Sequence, residues 1–457
     1  MHGERVSAPV TATLASLGQE LAGGELPGDA LFLAKQCVLD WVGVTLAGSV
    51  EPLSELLLAE IIEQGGHDQA TLLGRGRRAS TQQAALFNGA ASHALDYDDV
   101  NTAMAGHPTV PVMPAVFSLA EHRGASGRDV ISAFVVGFET ECRLGLLMNP
   151  GHYAQGWHAT ATLGTFGSAA ACSALLGLDQ ERWTHALGIA ATQAAGLKSM
   201  FGTMCKPFHA GKAAANGLLA ASLAARGFTS NPEAVEVEQG FAWTQTPEPQ
   251  LERFFAGPPG GFALRSVLFK YHAACYGTHS AIEGVLRLKA ANHLSPEDVT
   301  AIHLSVPEAA LGMCNIQDPR TGLEGKFSLR FTSALALASD DTSETAFTDS
   351  AVRDEALRAL SQRVSVSGSG EAQGGTEVAI HLSDGRRLTE RVDVNTPATD
   401  LDLQWSRLAT KFSGLATPIV GARRAADIID VISRLETLGS LSELTRLLNP
   451  HHAMVNS

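Results

Sequence analysis

The sequence predicts a mainly α protein, with a large all-helical domain and a smaller α+β lid domain inserted before the C-terminal helices. Aromatic residues make up only 6% of the chain and Gly and Ala are abundant, which favours closely packed helices over a β-sandwich. Helical patterns fill residues 8–227, whereas alternating strand patterns begin only after about residue 262. Because 457 residues exceed what one simple core organises, we expect two domains.

Start and stop residues bound the helices of the first domain. Pro27 precedes one apolar segment and Gly48 follows it, which is the usual asymmetry of helix ends. Asn149-Pro150 ends another apolar helix. Small residues at helical spacing mark two further helices and predict that they pack closely. Helices are predicted over residues 29–46, 80–95, 130–148, 179–195 and 206–225, and a further helix carries the small-residue stripe at 164–171.

Strand patterns predict the smaller domain. Alternating apolar residues flank Asp384-Gly385, which predicts a hairpin with a type I′ turn over 376–394. Shorter strands are predicted over 299–306 and 363–366, and helices return over 401–412 and 422–447. We therefore assign residues 1–265 and 397–457 to the helical domain, and residues 266–396 to the lid domain.

Composition and charge limit which binding partners and which cellular location the sequence predicts. The formal net charge of −14 disfavours nucleic acid as the main partner, although a local basic pocket can still bind a small anionic substrate. The cysteines are widely spaced with no CxxC pair, which disfavours zinc and disulfide frameworks. No run of about 18 apolar residues occurs and the N-terminus lacks an apolar signal core. The sequence therefore predicts a cytoplasmic protein without a membrane span.

One segment, from His93 to Pro108, concentrates groups that can transfer protons. Three carboxylates (Asp96, Asp98, Asp99) and two imidazoles (His93, His107) fall within it. The carboxylates cannot all be ionised at low cost in one pocket, so a cation or a raised pKa is expected there. The spacing lacks the alternation and glycine of a calcium loop, and zinc requires more histidine at short spacing, so no metal is predicted. A solvated acidic helix end is the alternative to a functional site.

Further cations and imidazoles occur in separate segments. His158 lies between a glycine turn and the start of a helix, and Lys206 lies at a helix N-terminus, a position that favours anions. Lys270 and His279 lie among aromatic residues, and Arg330 follows Ser328-Leu329. Together these groups suit a small di- or tricarboxylate from which a carbon-bound proton is removed. No glycine-rich phosphate loop is present, so a nucleotide cofactor is not supported.

Several segments, taken in order, resemble the MmgE/PrpD family. This family includes 2-methylcitrate dehydratase, cis-aconitate decarboxylase and iminodisuccinate epimerase. The resemblance implies a large helical domain, a smaller α+β lid domain, a homodimer, no cofactor and an active site in the cleft between the domains. The segments are HALDYDD followed by GHP, then GWHATATLG, KPFHAGKAA, KYHAACYGTH, KFSLRF and PATDLDLQWSRLATKF.

The resemblance also implies roles for individual residues. His107 is expected to be the general acid/base, the two lysines to bind substrate carboxylates, and His158 and Asp96 to orient the substrate or tune a partner's proton. We add Arg330 and His279 as predicted substrate-binding residues. The residues that fall on the family's active-site positions are Asp96, His107, His158, Lys206 and Lys270.

Two departures from the family pattern bear on the substrate. Val100 stands where the decarboxylase and dehydratase patterns have threonine, and Phe331 stands where the decarboxylase has tyrosine. A buried oxygen left without its donor costs about 1–3 kcal/mol. The two replacements therefore argue against cis-aconitate and 2-methylcitrate as the substrate, although Arg330 supplies a compensating cation.

Three functions are compatible with these residues. The leading hypothesis is a cofactor-independent lyase that acts on a citrate- or aconitate-like acid, with loss of water or CO2. The alternative is an epimerase or isomerase of a dicarboxylate such as iminodisuccinate, which uses the same carbanion chemistry. A third hypothesis is a non-catalytic helical protein used for ligand binding or assembly, which predicts uncoupled Asp96 and His107 side chains.

Overall fold

The computed structural model describes residues 8–371 and 374–449 and divides into two compact units. The first unit comprises Met1–Phe269 with Thr399–Ser457, and the second comprises Lys270–Ala398. Helices hold 60% of the chain and strands only 9%, which confirms the mainly α fold class.

The first unit begins with a long series of helices. One short antiparallel pair of strands interrupts it, β1 (Ala70–Leu72) and β2 (Arg77–Ala79). The helices are α1 Val10–Gly23, α2 Gly28–Gly48, α3 Pro52–Gln64, α4 Thr81–Ser92, α5 Thr109–Arg123, α6 Gly127–Met148, α7 Gly151–Ala154, α8 Ala159–Leu175, α9 Gln180–Ala191, α10 Cys205–Ala225, α11 Phe241–Gln245 and α12 Leu251–Ala256.

The second unit is a four-stranded sheet with helices. The strand order is β4-β3-β5-β6, in which only the β3–β4 pair is parallel. The strands are β3 Val299–Val306, β4 Val364–Gly368, β5 Thr376–Leu382 and β6 Arg387–Val392. The helices are α13 Tyr276–Asn292, α14 Glu308–Cys314, α15 Gly322–Gly325, α16 Leu329–Ala338, α17 Asp349–Arg353 and α18 Glu355–Ser361.

Up to residue 449, where the described part of the chain ends, the chain then returns to the first unit with three helices. They are α19 Leu401–Val420, α20 Ala422–Ser433 and α21 Ser442–Leu447. The single helix predicted over 422–447 is wrong, because a 3-10 turn at Leu435–Thr437 and the residues Gly439-Ser440 separate α20 from α21.

One other local prediction is wrong, and one element has no counterpart among the predictions. The β5–β6 connection is not a two-residue type I′ turn, because its strands end at Leu382 and resume at Arg387, and only Gly385 there has a positive φ (89°). The Gly385 amide instead donates to the Leu382 carbonyl. The β1–β2 pair was missed, because three-residue strands are too short to display an alternating pattern.

Helix α2 is the most apolar long helix of the first unit. Among the described residues it alone is long and apolar enough, by length and composition, to cross a membrane. However, 83% of its most apolar window is buried inside the protein. A helix that is apolar all round is typical of a protein core as well as of a membrane, and this burial is that of a core helix.

Glycines bring three helices of the first unit close together. A Cβ on Gly89 of α4 would lie 2.7 Å from the Gly211 Cα of α10, and a Cβ on Gly217 would lie 2.3 Å from the Ser168 Cβ of α8. Since such separations exclude any larger side chain, the small-residue stripes allow α4, α8 and α10 to pack backbone against backbone. This packing fixes the helix ends that carry His93, His158 and Lys206.

Helix α6 buries a carboxyl group that has no hydrogen-bond partner among the described residues. Both oxygens of Glu141 are inaccessible, and burial, with the charge of Asp99, raises its pKa well above the usual value of 4.5. Folding therefore requires Glu141 to take up a proton once the pH exceeds 4.5, and stability falls as the pH rises above that value.

We expect Glu141→Met to stabilise the protein at alkaline pH. Methionine has a similar volume and needs no partner, so the gain at pH 4.5 should be about 1–3 kcal/mol, the usual cost of an unpaired buried polar group, and it should be larger at pH 8, where folding must also protonate Glu141. Urea unfolding at pH 8 and pH 4.5 measures the effect, with Glu63→Met on the exposed face of α3 as the control. An equal change at both pH values would contradict an ionisation-linked penalty.

Candidate active site

The loop between α4 and α5 carries the acidic motif. His93 caps the C-terminal end of α4 and Pro108 precedes α5. Within the loop, Asn101 and Gly106 pair through two backbone hydrogen bonds, and Asp96 adopts a left-handed conformation with φ of 51°. Aspartate tolerates this conformation better than most residues, so the loop can make a sharp bend at Asp96.

Asp98 is the buried centre of this loop. Its carboxylate lies 2.9 Å from the Nδ1 of His93 and 2.9 Å from the Nδ1 of His107, and its side chain is 1% exposed. Although burial favours the neutral acid, His93 and His107 hold the pKa of Asp98 well below its usual range. Asp98 is therefore an anion shared by two imidazoles.

The partners of His107 determine which of its nitrogens carries the proton. Its Nδ1 faces Asp98 Oδ2 and the carbonyl oxygen of Asp99, both at 2.9 Å. Because an ionised carboxylate and a carbonyl only accept hydrogen bonds, Nδ1 must be the protonated nitrogen. The Nε2 atom lies 3.6 Å from Asp96 Oδ1 and is left to give or take a proton.

Lys206 and Asp96 form an ion pair at the more accessible side of this cluster. The Nζ atom of Lys206 lies 2.7 Å from Asp96 Oδ1, and the two side chains are 15% and 37% exposed. Lys206 lies in the first turn of α10, where the positive end of the helix dipole adds to the positive potential. The pair therefore presents a cation beside the Nε2 atom of His107.

His158 is a neutral, buried neighbour of the cluster. It precedes α8 and its Nδ1 lies 3.0 Å from the Nδ1 of His209. Burial, followed by the charges of His93 and Lys206, lowers the pKa of His158 well below 6.5. The rings of His93 and His158 stack with centroids 6.0 Å apart, so the imidazoles form a continuous group.

The structure thus brings together Asp96, His107, His158 and Lys206, and it adds Asp98, His93 and His209. Asp98 binds two imidazoles through its carboxylate oxygens. Asp99 instead anchors the loop to α5. Its carboxyl accepts hydrogen bonds from the amide and hydroxyl of Thr109 at the start of α5, and burial raises its pKa to about 7.

The remaining predicted residues lie in the second unit. Lys270 and His279 are both 2% exposed, and burial, then the charges of His272 and Lys270, lower the pKa of His279 well below 6.5. Arg330 on α16 donates to Asn315 Oδ1 at 2.7 Å. It lines a cavity of about 220 Å³ that Lys270 and His279 do not line. Their roles in substrate binding stay predictions.

The cluster also has the spacing of a metal site. Ligand atoms of His93, Asp96, Asp98 and His107 all lie within 4.8 Å of one another. A divalent cation bound by the Nδ1 atoms of His93 and His107 would displace the protons that these imidazoles direct at Asp98. It would also face the positively charged Lys206 ammonium. The charges present suit proton transfer better than cation binding.

Comparison with known proteins assigns the family. The MmgE/PrpD N-terminal domain matches residues 12–253 and the MmgE/PrpD C-terminal domain matches residues 272–437. The chain belongs to the MmgE/PrpD family. The matched regions contain every candidate site residue except Lys270, which lies between them, and the MmgE/PrpD assignment supports an enzyme of this type over a purely structural protein.

Curated relatives of this MmgE/PrpD protein match nearly end to end. The cis-aconitate decarboxylase-like protein oryM of Aspergillus oryzae is 28% identical, with 96% of this chain and 97% of the relative covered. Cis-aconitate decarboxylase of Aspergillus terreus is 28% identical with 96% of each covered. The Homo sapiens cis-aconitate decarboxylase is 26% identical, with 96% of this chain and 94% of the relative covered.

The two departures from the family pattern have different surroundings. Val100 pairs with Leu268 through two backbone hydrogen bonds of 2.8 and 3.0 Å, which hold the loop end in the first unit. Phe331 is 1% exposed and packs against Phe347 in the second unit. Neither side chain offers a hydroxyl, so neither can donate to a substrate.

Proposed function

We propose that this MmgE/PrpD protein is a lyase that acts on an aconitate-like di- or tricarboxylate, with loss of CO2 as the leading reaction and loss of water as the second. The observation that carries the proposal is His107, whose Nδ1 is held by Asp98 while its Nε2 lies beside the Lys206–Asp96 pair. The names of the curated relatives favour decarboxylation.

Lys206 supplies the positive charge that this chemistry needs. A substrate carboxylate binds the Lys206 ammonium, sharing it with Asp96, and negative charge that builds up on that carboxylate is stabilised as an enediolate. Because Lys206 is only 15% exposed, its attraction for an anion is less screened than that of a surface lysine.

His107 supplies the proton. In decarboxylation the bond to the departing carboxylate breaks, and its electron pair passes to the remaining carbon skeleton. Protonated His107 then delivers the Nε2 proton to carbon, and water restores it, so that each turnover consumes one proton and releases one CO2. In dehydration neutral His107 takes the carbon-bound proton instead and returns it to the departing hydroxyl, which leaves as water.

Asp98 and His93 adapt His107 to this role. The ionised Asp98 stabilises the imidazolium that forms whenever Nε2 holds a proton. Burial lowers the pKa of His93 to about 4, so at neutral pH His93 stays uncharged and donates its Nδ1 proton to the same carboxylate. His93 thereby holds Asp98 in place while it stays uncharged itself, so that the negative charge of Asp98 stabilises the His107 imidazolium.

An assay with defined acids tests the function. Citrate, methylcitrate, cis- and trans-aconitate, itaconate and iminodisuccinate are screened first by thermal shift, because a ligand raises the unfolding midpoint by mass action. CO2 release and water loss are then measured for each acid that binds, before and after exhaustive chelation with EDTA. We expect CO2 release that EDTA leaves unchanged.

Other outcomes of this assay select other functions. Deuterium uptake from solvent without loss of CO2 or water would select an epimerase. Activity lost to EDTA and restored by a metal would overturn the cofactor-free reaction. Because Val100 and Phe331 lack hydroxyl groups, we expect the best substrate to carry fewer oxygens that need a donor than cis-aconitate does.

The remaining features of the proposal come from the sequence. We propose a cytoplasmic homodimer that binds a small anionic substrate, without a metal or organic cofactor and without nucleic acid or membrane as partners. The formal net charge of −14 supports the proposal that nucleic acid is not a partner. The burial of α2 supports the proposal that a membrane is not one either.

A further inference from the structure

A lysine on helix α19 contacts the loop that carries the acidic motif. The Nζ atom of Lys411 donates to the carbonyl oxygen of Tyr97 at 2.6 Å and lies 3.9 Å from the centre of the Tyr97 ring. Tyr97 is itself 3% exposed, so this contact is buried. The peptide group that accepts this hydrogen bond is the one between Tyr97 and Asp98.

The same ammonium is neutralised by an acid on α2. Lys411 Nζ lies 2.6 Å from Asp40 Oδ1, and the two side chains are 4% and 2% exposed. A lysine buried to this degree requires a paired carboxylate, because desolvation strongly disfavours its charge. Asp40 therefore maintains the ammonium, and the ammonium binds the loop.

The loop needs an external restraint at this position. Asp96 has a left-handed backbone, a conformation that is less favourable than the ordinary ones even for aspartate and that contacts with the surroundings stabilise. Asp96 and Asp98 flank Tyr97 in the sequence. The Asp96 carboxylate binds Lys206. The Asp98 carboxylate binds His93 and His107. A rotation of the Tyr97–Asp98 peptide would move both carboxylates.

We infer that Lys411, held by Asp40, is a positioning residue that fixes the loop 96–99 and thereby sets the placement of Asp96 and Asp98 against His107. This inference rests on the proposed function for its effect on turnover. Its structural part, the restraint of the loop, is independent of which reaction the site performs.

A charge-neutral double variant separates positioning from stability. Lys411→Met alone leaves Asp40 buried without its cation, so it should lower both the unfolding midpoint and kcat. Lys411→Met combined with Asp40→Asn removes both charges, and we expect the midpoint to recover while kcat remains about 10–100-fold below wild type, as for a small misplacement of catalytic groups. KM should change less than kcat.

Lys35 provides a matched control. It lies on α2, is largely buried, and binds Glu436 at 2.9 Å and the Ser433 carbonyl at 2.8 Å, so it also ties α2 to the C-terminal segment. Among the described residues, its ion-pair and hydrogen-bond partners lie outside the loop 96–99. We expect Lys35→Met to lower the unfolding midpoint and to leave kcat within a factor of about two.

Crystal structures of the wild type and the double variant provide a readout that does not depend on activity. We expect the loop 96–99 to be displaced by about 1 Å or more, enough to impair catalysis. An undisplaced loop, or a double variant whose kcat recovers together with its midpoint, would overturn the inference. The loop could be displaced in the double variant while the wild type converts none of the acids. That result would uphold the loop restraint and contradict only the proposed function.

Discussion

The variant His107→Ala is expected to lower kcat by about 10²–10⁴-fold, the usual contribution of a general acid/base. The reason is that Nε2 of His107 is positioned beside Lys206, while its Nδ1 is committed to Asp98 and the Asp99 carbonyl. The measurement is the rate of CO2 release or water loss at saturating substrate.

Two further experiments support the interpretation of this variant. Added imidazole should restore part of the rate, because alanine leaves the space of the ring empty. His122→Ala, at the exposed far end of α5, should leave the rate unchanged. A fully active His107→Ala enzyme would rule out the proposed acid/base.

The second large effect is expected for Asp98→Asn. An asparagine amide cannot act as an anionic acceptor for both His93 and His107, and it loses the charge that stabilises the imidazolium. We expect kcat to fall by about 10²–10⁴-fold while substrate affinity is largely kept, because Lys206 is untouched. Asp99→Asn is the matched control, because the Asp99 carboxyl binds Thr109 and not an imidazole.

Acid unfolding offers a second readout of Asp98. Its pKa in the folded protein lies below the usual value of 3.8, so its contribution to stability is present above that pH and is lost as the pH falls through the folded pKa. Asp98→Asn should therefore show a shallower loss of stability below pH 3.8 than the wild type. Parallel acid-unfolding curves for the two proteins would argue against a buried, ionised Asp98.

Much of the fold could be predicted from the sequence. The strand Val299–Val306 and the start of α10 were predicted to within a residue, because a regular apolar period and a proline near a helix start are local signals. The hairpin turn was not predicted correctly, because Asp384-Gly385 is compatible with more than one loop length. The loop length that forms depends on the pairing register of the flanking strands.

The site was only partly predictable, for a different reason. The motif contained all of the acids and imidazoles of the loop, but its spacing could not show which acid faces which ring. That choice depends on the left-handed bend at Asp96 and on the contact between Tyr97 and Lys411, which are 314 residues apart in sequence. A pattern read along the chain carries no information about such a distant contact.

The discontinuity of the first unit has a consequence for recombining this protein with its relatives. The two family domains meet between residues 253 and 272, which suggests a natural crossover point for chimeras. The first unit, however, resumes at Thr399 and includes α19. A chimera joined at that crossover would take Lys411 from one parent and Asp40 and Tyr97 from the other. The contacts of Lys411 with Asp40 and Tyr97 stay within one parental sequence only in a three-segment chimera. Such a chimera returns to the first parent near residue 399.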